Sequence, residues 1–297
     1  MGKAAAGLHK LIYNAFSLIV ALFNLVTPNR KTAYWQDWQD RKMPSVEPSF
    51  DIVGLFFLSM IRSELPAKQA QELLPRGLEL DPSARLPNGN HPALISFGYD
   101  MCVRPAIVPS FFGDSYLEFI VFIPSVRLSG NGNGYRGPFT VMTHLELNDL
   151  LATILGRILG YPKVCRRMRT TMSSYEIRTL FGNKPLMEAE FQPKGDIGHP
   201  FASPAFKPFA DFFAQPVVSR SMLGPLLYTR FQPLAEEALF QPLDAKITIH
   251  EQDVPGLPAG IHYRKGIHED TIDAFRLYLP WQMSASLSRE KLKGPGN

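Results

Sequence analysis

Lys163 directly follows Pro162 at the end of an apolar run and precedes Val164 and Cys165, a poor setting for an ordinary surface charge. A lysine held away from water is a candidate nucleophile for carbonyl compounds. An unperturbed lysine, with a pKa near 10.4, is neutral in only about 0.04% of molecules at pH 7. Imine chemistry therefore requires that pKa to fall by roughly 3, through burial or a neighbouring cation. A structural lysine that snorkels its ammonium into solvent is the alternative reading of the same residues.

Other chemistries have weaker support. The chain has no G-x-S-x-G, H-E-x-x-H or Walker loop, which removes the easily read hydrolases, zincins and P-loop enzymes. Gly132, Gly134 and Gly137 spell G-x-G-x-x-G, but a β-type segment follows where a dinucleotide site needs a helix, so they read as a hairpin loop. His262 and His268 are close enough in sequence to suggest a ligand pair, yet no cysteine stands near them to complete a structural zinc site. No metal and no cofactor are expected. Arg166, Arg167 and Arg169 form the densest basic run and read as the exposed face of a strand rather than a phosphate site.

The elements that must position Lys163 follow from periodicity. Asn148 is a plausible N-cap. Leu150, Leu151, Ile154, Leu155, Ile158 and Leu159 then recur at helical spacing up to the stop signals Gly160 and Pro162. Ile52–Ile61 is a nearly continuous apolar run that reads as a strand buried on both faces, and a short helix is expected between Pro66 and Pro75. Ala93–Val103, Tyr116–Val126 and Phe139–Leu147 read as further strands. Alternation at Tyr175, Ile177, Thr179 and Phe181, then at Met187, Ala189 and Phe191, signals a hairpin across Gly182-Asn183. Strand character returns at Ala245–His250, and Ala274–Met283 is open between strand and helix.

Composition bounds these readings. The chain has 297 residues, 45% of them apolar and 20% charged, with 26 prolines and 22 glycines, which favours a turn-rich β protein over a helical bundle or a disordered chain. A net charge of +4 with dispersed basic residues gives no nucleic-acid signature. Two cysteines, Cys102 and Cys165, make no disulfide framework and fit a reducing compartment. Pro200–Pro242 holds seven prolines and seven phenylalanines, and reads either as an insertion packed on the body or as an apolar lid. Leu11–Val26 is a run of 16 uncharged, mostly apolar residues with basic residues on both sides, short for a span. A docked or membrane-surface helix involving residues 8–26 is expected there, with a signal anchor or cleaved signal as alternatives.

Around the lysine the sequence becomes recognisable. Arg157-Ile-Leu-Gly160-Tyr161-Pro162-Lys163 resembles the Glu-x-x-Gly-aromatic-Pro-Lys-Lys run of the acetoacetate decarboxylase family. Tyr116-Leu117-Glu118 leads into a β run ending at Pro124-Ser-Val126, as that family's Tyr-x-Glu strand does. Leu78–Asp81 and the stretch Asp244–Thr248 have counterparts in the same order, and the resemblance spans roughly Phe50–Met283.

The resemblance implies an α+β, mainly antiparallel fold: a cone-shaped β-barrel with peripheral helices. It would occupy residues 50–285, between an N-terminal apolar helix and linker (1–49) and a flexible tail (286–297), with the Pro/Phe-rich insertion at about 200–242. It implies a metal-independent lyase in which Lys163 condenses with a ketone or aldehyde, for decarboxylation of a β-keto acid or for aldol or dehydration chemistry. Glu118 would be the acid, base or orienting group. Tyr116 and Tyr161 would be pocket walls, and Arg104 or Arg157 a contact for a substrate anion. A cytoplasmic homo-oligomer is the accompanying expectation, with membrane-surface contact through the N-terminal run left open.

The departures from the pattern matter. The family's second lysine is Val164, its helix glutamate is Arg157, and a further strand glutamate is replaced by Gly98. A less polar pocket and a more apolar carbonyl substrate follow. A non-catalytic binder of an apolar small molecule on the same scaffold is the competing expectation.

Overall fold

A computed structural model describes residues 50–105, 113–130, 136–158, 161–182, 184–203, 206–213, 215–220, 226–233, 238–250, 262–264 and 274–287. The apolar run Leu11–Val26, the linker that follows it and residues 288–297 of the expected C-terminal tail lie outside the described residues, while residues 286 and 287 belong to the last strand. No helix among the described residues is long and apolar enough to cross a membrane.

The long apolar run becomes β1 (Phe50–Pro66), and Pro66 hands the chain to α1 (Ala67–Leu73). A short β2 (Leu78–Leu80) precedes β3 (Asn90–Pro105), β4 (Asp114–Leu128) and β5 (Phe139–Leu147), three strands in an antiparallel meander. The glycine-rich loop thus joins two antiparallel strands, as a hairpin loop does. Helix α2 (Leu150–Ile158) then leads to β6 (Lys163–Cys165), which pairs parallel to β5. β7 (Arg167–Thr170), β8 (Ser174–Arg178) and β9 (Pro185–Pro193) follow, with the expected hairpin formed by β8 and β9.

The Pro/Phe-rich segment contributes α3 (Lys207–Phe213), β10 (Val217–Arg220) and β11 (Leu226–Pro233), and both strands join the main sheet. β12 (Leu239–Ile249), β13 (His262–Arg264) and β14 (Ala274–Leu287) complete the order. The last segment, open between strand and helix in the sequence, is a strand.

The result is a mixed, mostly antiparallel sheet in the order β1-β3-β4-β5-β10-β11-β14-β12-β9-β8-β7. β14 pairs along one edge with β1 and along the other with β11 and β12. Because strand side chains alternate, β4 separates two apolar clusters. Leu117, Phe119, Val121 and Ile123 join Tyr175, Met168 and Phe191 on one face. Tyr116, Ile120 and Phe122 join Phe56, Trp281 and the phenylalanines of α3 on the other. Both faces of β4 are buried, which explains why its sequence is almost unbroken in apolar residues.

Helix α2 turns its aliphatic stripe away from the sheet. Leu150 and Leu151 are 61% and 62% exposed and Ile154 and Leu155 are also exposed, whereas Ala152, Thr153 and Gly156 are buried. Its small residues face the sheet because a close approach is needed there, and the aliphatic stripe faces outward. The cap differs from the expected Asn148: the Asp149 carboxylate accepts the Ala152 N–H at 2.5 Å, while Asn148 Oδ1 accepts the Leu117 N–H at 2.7 Å and ties the helix start to β4.

Candidate active site around Lys163

Three backbone features deliver Lys163 to the sheet. The Tyr161 N–H donates to Gly156 O at 2.9 Å, closing the C-terminal turn of α2. The Lys163 N–H donates to Tyr161 O at 2.8 Å across Pro162, a three-residue turn that proline's fixed φ favours. Arg157, exposed on α2, donates its Nε–H to Lys163 O at 2.6 Å. Arg157 therefore steadies the backbone of the lysine and does not extend into the site as an anion contact.

The lysine side chain runs against Gly156. A Cβ built at position 156 would stand 2.3 Å from Lys163 Cδ and 2.6 Å from Cε, so any larger residue would collide with the lysine stem. This is why the small side chains of α2 face inward. The Lys163 Nζ lies 5.5 Å from the centroid of the Tyr116 ring and 5.7 Å from that of Tyr161. Tyr161 is held in turn by a 2.9 Å hydrogen bond between its hydroxyl and Thr229 Oγ1 on β11.

Glu118 reaches the same space from β4, directly opposite Gly98 of β3. A Cβ at position 98 would be 3.0 Å from Glu118 Cγ and 3.1 Å from the Phe56 ring. Gly98 thus makes room for the carboxylate of Glu118. Two residues along β3, on the same face as Gly98, Asp100 brings a second carboxyl into the site, only 2% exposed. It accepts a 3.2 Å hydrogen bond from Trp281 Nε1–H on β14, and the indole packs over Gly54, where a Cβ would stand 2.9 Å away.

Burial, together with the charge of Glu118 and a hydrogen bond between the two carboxyls, pushes Asp100 well above the usual carboxylate range. Burial also raises Glu118, to about 7, against the lowering effects of Lys163 and of the hydrogen bond from Asp100. Asp100 is therefore the proton holder of the pair and donates to Glu118. Lys163 is lowered from the ordinary lysine value by burial, with Glu118, Asp100 and Asp149 opposing the shift through their charge. Desolvation is thus the principal cause of the depression. Burial also holds the Tyr116 phenol well above its ordinary value, so it stays protonated.

The structure thus gathers Lys163, Glu118, Tyr116 and Tyr161, and adds Asp100, Trp281, Gly98 and Gly156. Arg104 is placed differently. A bulge between Asp100 and Val103 turns Val103 toward the inner cluster, and the Arg104 guanidinium donates to Cys102 O at 2.9 Å on its own strand. His262 lies on β13, and His268 is outside the described residues. Asp100 carries no motif, but the i, i+2 relation to Gly98 in a predicted strand was the signal that could have found it.

An amine lowered by desolvation beside a protonated carboxyl and a second carboxyl can, once neutral, condense with a carbonyl group and move the protons this requires. No protein-family model matches the chain, and no curated protein matches it in sequence. Solved structures do match. An acetoacetate decarboxylase from Legionella pneumophila subsp. pneumophila str. Philadelphia 1 aligns over 90% of this chain and 100% of its own, at 16% identity and a TM-score of 0.50. The enduracididine biosynthesis enzyme MppR, complexed with the condensation product of pyruvate and imidazole 4-carboxaldehyde, aligns over 86% and 93%, at 10% identity and a TM-score of 0.50. At such identities the likeness is one of fold: the chain has an acetoacetate decarboxylase-like fold, in a divergent form.

Proposed function

We propose that the protein is a metal-independent Schiff-base lyase of the acetoacetate decarboxylase-like group, using Lys163 as its nucleophile. The observation that carries this reading is the convergence of Lys163, Glu118 and Asp100 in one buried site, with Gly156 reserved for the lysine stem. The pairing of β14 with both β1 and β11 supports the cone-shaped barrel of that group.

The neutral Lys163 amine attacks the carbonyl carbon of the substrate, forming a C–N bond. The carbonyl oxygen takes up a proton from the Asp100–Glu118 pair, and the resulting carbinolamine loses water to give a protonated imine. In a β-keto acid the bond to the carboxylate then breaks, its electron pair moves into the imine to give an enamine, and carbon dioxide leaves. Protonation of the enamine carbon and hydrolysis release the ketone and restore the amine. If the enamine instead attacks an aldehyde, the same site performs aldol chemistry, followed by loss of water. The structural likeness to MppR in complex with a condensation product supports keeping both outcomes within the proposal.

The walls of the site favour a carbonyl substrate with an apolar body. Phe56, Tyr116 and Trp281 belong to the inner cluster, and Arg104 and Arg157 are engaged with backbone carbonyls. The test is turnover with β-keto acids of increasing chain length, and with pyruvate plus an aldehyde, following carbon dioxide and condensation product. Lys163-dependent turnover of any member supports the proposal. Turnover unchanged in Lys163→Ala refutes it.

One observation favours a second reading, a non-catalytic binder of an apolar molecule. Phe206, Phe209, Phe212 and Phe213 from the segment containing α3 line the inner cluster beside Phe231 and Trp281. Tight binding of an apolar ketone without any covalent adduct would select it.

A further inference from the structure

We propose that Trp281 is a positioning residue for the acid pair: its indole N–H holds Oδ1 of Asp100 and so leaves the carboxyl proton on Oδ2. The role rests on the Schiff-base reading of Lys163, because it is in that chemistry that the pair delivers a proton.

The first argument is reach. Trp281 stands on β14 and Asp100 on β3, with β1 between them in the sheet. Neighbouring strands lie about 4.8 Å apart, so the side chain must cross roughly 9.5 Å of sheet to meet the carboxyl. Trp281 pairs with Gly54 across the β1–β14 ladder, and Gly54 lies where the β1–β3 register shifts between Val53 and Leu55. A Cβ at position 54 would stand 2.9 Å from the indole Cζ2 and 3.2 Å from Nε1. Any side chain there would lift the ring off the strand it crosses. Apolar packing alone would be served by any large ring at position 281, whereas the N–H is needed only for the carboxyl.

The second argument is that the ring is held. Trp281 is buried, with Phe56 edge-on at 6.2 Å between centroids and Phe231 at 5.7 Å. Phe56 also lies directly opposite Asp100 on the β1–β3 ladder, so one residue packs the indole and flanks the carboxyl. A donor fixed by its neighbours is aimed before any substrate arrives, which is the condition for a precise site.

The third argument is hydrogen-bond chemistry. Carboxylates only accept, so the hydrogen bond between Asp100 and Glu118 requires that one of them keep a proton. An indole N–H only donates, and it is matched by the carbonyl oxygen of a neutral carboxyl. With Oδ1 taken in this way, the hydroxyl is Oδ2. The titratable groups around Asp100 are Glu118 and Tyr116 from β4, Lys163 from β6 and Tyr175 from β8. The indole, unlike these, holds its proton throughout the working range and orients the carboxyl in every protonation state of the site.

The test joins nuclear magnetic resonance of the full chain, with 15N in its indoles, to the pH–rate profile of borohydride trapping. The chain has three tryptophans, and Trp35→Phe/Trp38→Phe leaves the Trp281 signal alone. That Nε1–H resonance is expected to resist solvent exchange and to move in one step as the carboxyl pair titrates. The step should vanish in Asp100→Asn, whose amide oxygen still accepts. Trp281→Phe keeps an apolar ring but removes the donor. Its trapping rate should fall roughly tenfold, and the pH midpoint should rise by about 0.5–1, because the lost donor favoured the ionised carboxyl. The indole signal needs no change in the core, so it decides the matter even where Trp281→Phe does not fold. An indole signal that ignores pH, or a Lys163 adduct whose rate and midpoint are unmoved in Trp281→Phe, overturns the positioning role alone. A titrating indole with no adduct on Lys163 in the wild type overturns the Schiff-base reading and the role with it.

Discussion

Glu118 and Phe119 are neighbours in sequence on opposite faces of β4, and their surroundings show two ways of burying a side chain. Phe119 is fully buried in the outer cluster, with Phe97 at 5.2 Å between ring centroids. Glu118 is almost as buried, yet its neighbours are Asp100, Lys163 and apolar walls. The outer face gains stability from apolar burial, and the buried Glu146 carboxylate opposite Phe119 is paired there with Arg166 and His144. The inner face is costly, because three ionisable groups share a space poor in water and must share protons as well. Placing them together sacrifices stability for reactivity, which is the pattern expected at a working site.

The largest expected effect comes from breaking the outer face. Phe119→Ala should cost about 3–5 kcal/mol, read as a lower urea midpoint, through lost burial and the cavity left behind. Next is Gly156→Ala, whose methyl would occupy the path of the Lys163 stem. Overpacking of this kind costs about 1–3 kcal/mol, and displacement of the amine by about 1 Å is expected to slow adduct formation roughly 100-fold. Rates of reductive trapping and chemical unfolding separate the two effects.

Glu118→Gln sharpens the contrast through pH. The Glu118 carboxyl keeps its proton up to about 7 in the folded chain, against 4.5 when unperturbed. The stability it contributes is complete below pH 4.5 and is lost as pH rises to about 7, so native Glu118 is a liability at neutral pH. The glutamine variant should lack this decline, gaining at most about 3 kcal/mol over the wild type at pH 7 while losing the titration near 7 from its trapping rate. Unfolding at pH 5 and pH 8 measures the first effect, and a pH–rate profile the second. The smallest effect belongs to Arg167→Gln, which removes the opposition to Arg178. It should stabilise by up to about 1 kcal/mol at low salt, with the gain shrinking as salt screens the pair.

Much of this was legible in the sequence where local pattern and tertiary role agree. The apolar run of β4 is buried on both faces, that of β1 is so only toward Ser59–Ile61 with Leu55 and Phe57 half-buried, and Lys163, Glu118, Tyr116 and Tyr161 meet because two motifs lie on adjacent parts of one sheet. Asp100 was hidden because an acidic residue in an alternating strand carries no spacing signal, and only its face relative to Gly98 gives it meaning. The orientation of α2 was hidden for the opposite reason. Its aliphatic stripe has the period of a core-facing helix, but the steric demand of Lys163 selects the small-residue face. β10 and β11 were obscured by the prolines around them, since the ladders that define them are long-range.

The most direct test of the account is borohydride reduction in the presence of a β-keto acid, followed by peptide mass mapping of the full chain and of Lys163→Ala. The account predicts a substrate-dependent adduct on the peptide containing Lys163, absent from the variant. An adduct confined to a different lysine, or turnover without any reducible adduct, would contradict it.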